Sequence, residues 1–276
     1  LNTLWIEANP IDVNWQLEQY HFNNLGYRSF FVSKDNINPI LDVTFDGVYI
    51  INGDIVSPTP LITIKLKDEN TFLALNDTAN FKIFIKDPNG VNKRIYFRGD
   101  NGEEQMRFYP AQLPKNSCRI EYKGNFKTDG IYELRVQATD MSDNVSGDND
   151  YNIQFEVINK STITEVLNYP NPFSTSTRFV FTLTGSELPS DFKIQILTIS
   201  GKVVKEIFLE DLGTIRIGRN ITEYAWDGTD NFGDRLANGV YLYRVVTKIN
   251  GQDIEKRNTN ADKYFHKGFG KMYLMR

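Results

Sequence analysis

The sequence predicts an all-β protein built as two immunoglobulin-like antiparallel β-sandwiches in tandem. Three observations predict it: many short runs of period-two hydrophobic alternation, turn-forming dipeptides between them, and no apolar stripe at helical spacing. Alternation puts every second side chain on one face of a strand. Ile62, Ile64 and Leu66 alternate with Thr63, Lys65 and Lys67, and Tyr132, Leu134, Val136 and Ala138 alternate with Glu133, Arg135, Gln137 and Thr139. Ile153, Phe155 and Val157 repeat the pattern, as do Phe192, Ile194 and Ile196, and Tyr241, Tyr243 and Val245. Asp46-Gly47, Asn52-Gly53, Asn89-Gly90, Asn101-Gly102, Asp129-Gly130, Asp227-Gly228, Asn238-Gly239 and Asn250-Gly251 punctuate these runs. Such pairs tolerate positive φ and suit tight hairpins, most clearly in Asp87-Pro88-Asn89-Gly90.

The elements fall into three stretches. Residues 1–38 contain Trp5, Trp15, Phe22, Phe30 and Phe31 but are too few for a domain, so they read as closing strands of a preceding domain, as a linking segment, or as strands pairing with the rest of the chain. Asn36-Ile37-Asn38-Pro39 separates them from a first sandwich over 39–159. Polar Asn159-Lys160-Ser161-Thr162 then leads to a second over 160–276.

Composition limits what such a chain can do. Its 276 residues suffice for about two domains, and 40% hydrophobic with 24% charged residues is ordinary for a folded protein. A net charge of -4, with acids and bases interspersed, gives no basic field for nucleic acid. No apolar run reaches the roughly 20 residues of a membrane-spanning helix, so no direct membrane span is expected. Leu1-Asn2-Thr3-Leu4-Trp5 lacks a basic n-region, an apolar h-region or a cleavage site, and the chain is expected to be a piece of something longer. Cys118 is the only cysteine, so no internal disulfide forms; low cysteine use with many Asn, Asp, Thr and Tyr fits a Gram-negative surface protein.

Candidate chemistry is sparse. A nucleophilic thiol needs a base, and the two histidines are His21 and His266, whereas Cys118 sits in the plain strand pattern Ser117-Cys118-Arg119-Ile120-Glu121-Tyr122 and is expected to be structural. Calcium is the one candidate cofactor, because hard cations want oxygen ligands from tight loops. The candidate ligands are Asp140, Asp143 and Asp148 in one loop and Asp227, Asp230 and Asp234 in another, although neither has EF-hand spacing and Asx-turns explain both equally well. Tyr96, Phe97, Phe108 and Tyr109 could stack on sugar, but they lie in strand patterns where core packing is the simpler role.

Four motifs in the second half occur in a telling order. They are Asn168-Tyr169-Pro170-Asn171-Pro172-Phe173 with Thr177-Arg178-Phe179, then Ile196 to Val204, then Trp226-Asp227-Gly228-Thr229-Asp230-Asn231-Phe232-Gly233, and last Leu236-Ala237-Asn238-Gly239-Val240-Tyr241-Leu242-Tyr243. Together they resemble the FlgD-like immunoglobulin domain found at the C-termini of secreted bacterial proteins. In that arrangement Pro170 and Pro172 hold an extended lead-in suited to an edge, Trp226 plugs the sandwich end, and Gly239 precedes a strand with Tyr241 facing inward. The final stretch, from Lys263 to Arg276, is similar to the C-terminal domains that direct Bacteroidetes proteins through the type IX secretion system.

That similarity makes Lys271, Met272, Tyr273, Leu274, Met275 and Arg276 the candidate sorting and partner-docking residues, completing a sheet edge that a receptor can reach. Removing them is expected to abolish surface retention. In the first half, Leu41 to Gly47, Gly53 to Pro58 and Leu66 to Asn70 resemble the segment after the peptidase domain in PorU-type sortases, relatives of the gingipain cysteine peptidases. The resemblance implies a non-catalytic C-terminal region, with the peptidase domain upstream. It also implies a place on the extracellular side of the outer membrane and an outer-membrane β-barrel shuttle of PorV type as partner. Two other readings stay open: the sorting and spacer domains of a secreted hydrolase or adhesin, and a carbohydrate-binding adhesive module.

Overall fold

The computed structural model describes residues 1–12, 14–256 and 268–276. It is all-β. The first strands, β1 (Asn2–Glu7) and β2 (Leu25–Phe30), pair antiparallel with each other from Asn2 opposite Phe30 to Glu7 opposite Leu25. Among the described residues they pair with no other strand, and every side chain of both is exposed. This ribbon neither joins the following sheets nor buries a core of its own.

The first sandwich follows with β3 (Ile40–Phe45), β4 (Asp54–Val56), β5 (Leu61–Lys67), β6 (Phe81–Lys86), β7 (Asn92–Ile95), β8 (Met106–Tyr109), β9 (Ser117–Lys123), β10 (Gly130–Ala138) and β11 (Tyr151–Val157). One sheet has the order β3-β5-β9-β8 and the other β4-β11-β10-β6-β7, with β4 parallel to β11 and the other neighbours antiparallel. Alternation decides which side chains meet between the sheets. Ile62, Ile64, Leu66, Ile120, Leu134, Val136 and Phe155 are completely buried, whereas Lys65 and Lys67 of β5 point outward. Ring contacts from Phe155 to Phe45, Phe126 and Tyr132, with centroids 5.1, 5.3 and 5.7 Å apart, fill the centre.

The second sandwich is built from β12 (Thr162–Tyr169), β13 (Arg178–Leu183), β14 (Asp191–Thr198), β15 (Val203–Phe208), β16 (Gly218–Ile221), β17 (Gly239–Ile249), β18 (Gln252–Asp253), β19 (Glu255–Lys256) and β20 (Gly270–Leu274). The order β16-β13-β12-β19 makes one sheet; β15-β14-β17 makes the other, with β18 and β20 both pairing β17. Phe179, Phe181, Phe192, Ile194, Ile196 and Trp226 are fully buried between them.

Of the turn pairs, Asp87-Pro88-Asn89-Gly90 joins β6 to β7 as a tight hairpin closed by Gly90 N–H to Asp87 O at 2.9 Å. Asp129-Gly130 and Asn238-Gly239 behave differently from the hairpins expected of them. They open β10 and β17, strands reached by crossing from the opposite sheet. Immediately after each pair a tyrosine folds back: Tyr132 hydroxyl donates to Thr128 O at 3.0 Å and Tyr241 hydroxyl donates to Ala237 O at 2.8 Å. Both are tyrosine corners, the device that fixes this crossover in immunoglobulin-type sandwiches.

The two sandwiches adjoin through a short link. Asn159 donates from its backbone N–H and from Nδ2 to Asp129 Oδ1 at 2.8 Å each, while Ile158 O accepts from Gly185 N–H at 3.0 Å. At Gly218, with φ at 96°, any side chain would run into the carbonyl of Ile55 in β4.

Candidate functional site

The terminal strand β20 is interior to the second sandwich rather than appended to it. It pairs antiparallel with β17, from Gly239 opposite Leu274 to Tyr243 opposite Gly270. Met272 and Leu274 are wholly buried and belong to the core, whereas Lys271, Tyr273, Met275 and Arg276 are exposed. Tyr243 lies so close over Gly270 that a methyl group there would overlap its ring.

The outer edge of β20 is closed as well. Asn171 reaches across with both ends of its amide, donating from Nδ2 to Lys271 O and accepting at Oδ1 from Tyr273 N–H, each at 3.0 Å. Phe173 continues the pairing: its N–H donates to Tyr273 O at 3.0 Å, and its carbonyl accepts from Met275 N–H at 2.8 Å. The strand does complete a sheet edge, but that edge is capped by other backbone and side-chain groups, while Lys271 and Tyr273 stay exposed. Backbone groups of β20 are paired on both sides, so no further strand can add to it there.

The remaining predicted structural residues converge around this strand. Pro170 and Pro172, each preceded by a cis peptide bond, flank Asn171. Pro170 O accepts from the Thr177 hydroxyl at 2.8 Å. Trp226 donates from Nε1 to Thr229 O at 2.8 Å and packs against Phe173 and Tyr241. Gly239 opens β17. The guanidinium of Arg276 bonds Asp227 O and also Gly228 O at 3.3 Å, and Asn238 exchanges two bonds with the Arg276 backbone, at 2.9 and 3.0 Å. The last residue thus clasps the loops at both ends of the 227–238 segment. Residues 263–267, including His266, lie outside the described residues.

The two acidic loops are organised by their own backbone. Asp140 Oδ1 accepts from Ser142 and Asn144 N–H at 2.7 and 2.8 Å. Asp227 Oδ1 takes the Thr229 N–H and hydroxyl, which holds its carboxyl below the usual range, and Asp230 Oδ1 takes the N–H groups of Phe232 and Asp234. Asp143 and Asp148 are exposed. Among the described residues the acidic trio whose oxygens do converge is Asp35, Asp68 and Asp140, sharing one member with the first loop. Burial, reinforced by Glu69 and Asp140, raises the Asp68 carboxyl to about 6. No sequence spacing announces this trio, because its members come from three separated stretches.

Cys118 is 1% exposed within the first core, and burial pushes its thiol up to about 11, opposite to what a nucleophile needs. His21 places Nε2 3.0 Å from Asn9 O in the N-terminal ribbon. A disulfide-exchange reagent should therefore label Cys118 only as the first sandwich unfolds; rapid labelling of the native chain would contradict this burial. Of the aromatic residues weighed as a sugar platform, Phe97 and Phe108 pack against the first core, whereas Tyr96 is 57% exposed. Phe97 and Phe108 meet edge to face, Arg119 stacks on Tyr109 at 4.2 Å, and Arg94 lies over Tyr96 at 5.0 Å.

Comparison with known proteins adds a family for part of the chain. Among curated proteins none matches it. In solved structures it is similar to dimeric latent PorU from Porphyromonas gingivalis, with 18% identity over 96% of this chain and a TM-score of 0.35; it spans 24% of that chain. It is also similar to the fibronectin(III)-like modules of Clostridium thermocellum CbhA, with 11% identity, a TM-score of 0.23, and coverage of 84% of this chain and 94% of that one. The C-terminal domain of the Streptococcus agalactiae AgI/II polypeptide BspA gives 11% identity and a TM-score of 0.25, covering 79% and 98%. No helix among the described residues is long and apolar enough to cross a membrane. Residues 170–251 match the FlgD Ig-like domain family, and β12 before the match and β18 to β20 after it complete the sandwich.

Proposed function

We propose that this chain is the non-catalytic C-terminal part of a PorU-type cell-surface sortase of the type IX secretion system, displayed outside the outer membrane. In this reading a cysteine peptidase domain precedes it, the first sandwich is a spacer, and the second docks onto an outer-membrane β-barrel shuttle of PorV type. The FlgD Ig-like match over residues 170–251 and the ordered motifs around it support a secreted bacterial immunoglobulin-type domain in this position. One observation supports docking through the terminus: β20 is held rigidly on both edges, yet turns Lys271 and Tyr273 outward on one face. A tyrosine beside a cation on a pre-ordered strand provides aromatic area and charge at low entropic cost.

The structure changes the experiment that tests this. Deleting residues 271–276 removes Met272 and Leu274 from the core, so it would disturb folding together with sorting. The pair Lys271→Glu and Tyr273→Ala alters exposed side chains alone. We expect it to leave thermal unfolding unchanged while releasing the protein from the cell surface into the medium. Full surface retention of the doubly substituted protein would refute the docking role. Mass spectrometry of the surface-bound form distinguishes a transport component, which keeps residues 160–276, from cargo, which loses them.

A further inference from the structure

At one end of the first sandwich, three stretches distant in sequence bring acidic side chains together. Asp35 lies in the segment between β2 and β3, Asp68 directly after β5, and Asp140 in the loop after β10; one carboxylate oxygen from each lies within 4.8 Å of the others. Asp68 and Asp140 are only 6% and 1% exposed. Three anionic groups this close repel one another strongly where water is scarce, so folding tolerates them only with compensation. None of the ion pairs among the described residues involves any of the three.

Neutral donors account for some of the oxygens and leave one open. Asp35 accepts from Ile37 N–H and Asn70 Nδ2 at 3.0 and 2.9 Å, and Asp140 accepts at Oδ2 from Asn144 Nδ2 at 2.8 Å. Asp68 Oδ2 accepts from Asn116 Nδ2 at 3.2 Å, and the Glu69 carboxyl adjoins both Asp35 and Asp68, but no well-aligned donor reaches the buried Asp68 Oδ1. A buried carboxylate oxygen with no donor, beside two other carboxylates, is what remains when the species meant to satisfy it is a cation.

We propose that Asp35, Asp68 and Asp140 form a calcium site that fastens the segment leading into β3 to the end of the first sandwich. Calcium is favoured over magnesium because the donors are oxygens on three loops with irregular spacing, and calcium accepts flexible six- to eight-fold oxygen coordination whereas magnesium requires a near-ideal octahedron. An open cleft lined by Asp35, Glu69, Asn70 and Asp143 lies beside the trio and reaches it at Asp35, while Asp68 and Asp140 sit behind its wall. Asn144 Nδ2 also holds Asp35 O at 3.2 Å, so the loop that carries Asp140 already grips the segment that carries Asp35. This site is independent of the sorting role proposed for β20.

The test uses the full chain with calcium chloride as probe. Calcium at about 10 mM should raise the melting temperature of the transition containing the first sandwich by roughly 3–10 °C, the range set by millimolar to sub-millimolar affinity. It should also slow proteolysis within residues 31–38, and titration calorimetry should give one site. Asp35→Asn and Asp68→Asn should each abolish the shift, whereas the double variant Asp143→Asn, Asp148→Asn should keep it. Asp35→Asn guards against misfolding, because Asp35 is the least buried of the three. Absence of a calcium shift in the unmodified chain would overturn the proposal, since the trio would then be relieved by sharing protons. An equal shift with magnesium would overturn the calcium assignment, and a shift surviving Asp35→Asn and Asp68→Asn would place the ion elsewhere.

Discussion

Shortening Leu274 to alanine should lower the stability of the second sandwich by about 2–5 kcal/mol, while Tyr273→Ala, one residue away, should change it by less than about 0.5 kcal/mol. The contrast follows from alternation along β20. Leu274 is fully buried in the core cluster that holds Trp226, with its side chain against Gly228, whereas Tyr273 is 43% exposed. The measurement is direct because the chain has 3 tryptophans, and Trp5 and Trp15 lie in the exposed N-terminal ribbon. Trp226 is then the buried indole whose emission reports the second sandwich during denaturant unfolding. If both variants unfolded at the wild-type midpoint, β20 would not be the integral strand described above.

Phe155→Ala is expected to cost the first sandwich about 3–5 kcal/mol, since this ring is fully buried at the meeting point of Phe45, Phe126 and Tyr132. The two cores are composed of different residues, the first ending at Val157 and the second beginning at Ile163. The Trp226 emission midpoint should therefore stay where it is in the unmodified chain, while a calorimetric transition assigned to the first sandwich moves to lower temperature. A matching drop in the Trp226 midpoint would show that the sandwiches unfold as one unit.

Much of the fold was legible because a strand's face assignment is local. In Ile62-Thr63-Ile64-Lys65-Leu66-Lys67 the odd and even positions declare inside and outside without reference to any partner, and every aliphatic residue of that run is fully buried. The same locality made Met272 and Leu274 recognisable as strand residues but hid their environment. Whether a strand is an open edge depends on what lies beside it, and here the neighbour is the amide of Asn171, 100 residues away from Lys271. The acidic trio was invisible for the same reason: Asp35 and Asp140 meet only because β3 and β10 start and end at the same end of the sandwich. The tyrosine corners did have a readable sign. Asp129-Gly130-Ile131-Tyr132 and Asn238-Gly239-Val240-Tyr241 are the same four-residue phrase, and reading it as a crossover would have removed two hairpins from the expected topology.

The amide of Asn171 across β20 bears on how many copies can share a crowded space. Flat, unsatisfied strand borders act as templates, and molecules concentrated side by side on such borders polymerise into ribbons. Here the border is already filled by one side chain and the backbone of Phe173, so neighbouring molecules meet a finished surface studded with Lys271 and Tyr273. Copies therefore cannot zip together through β20, and a contact made at this border must match shape and charge.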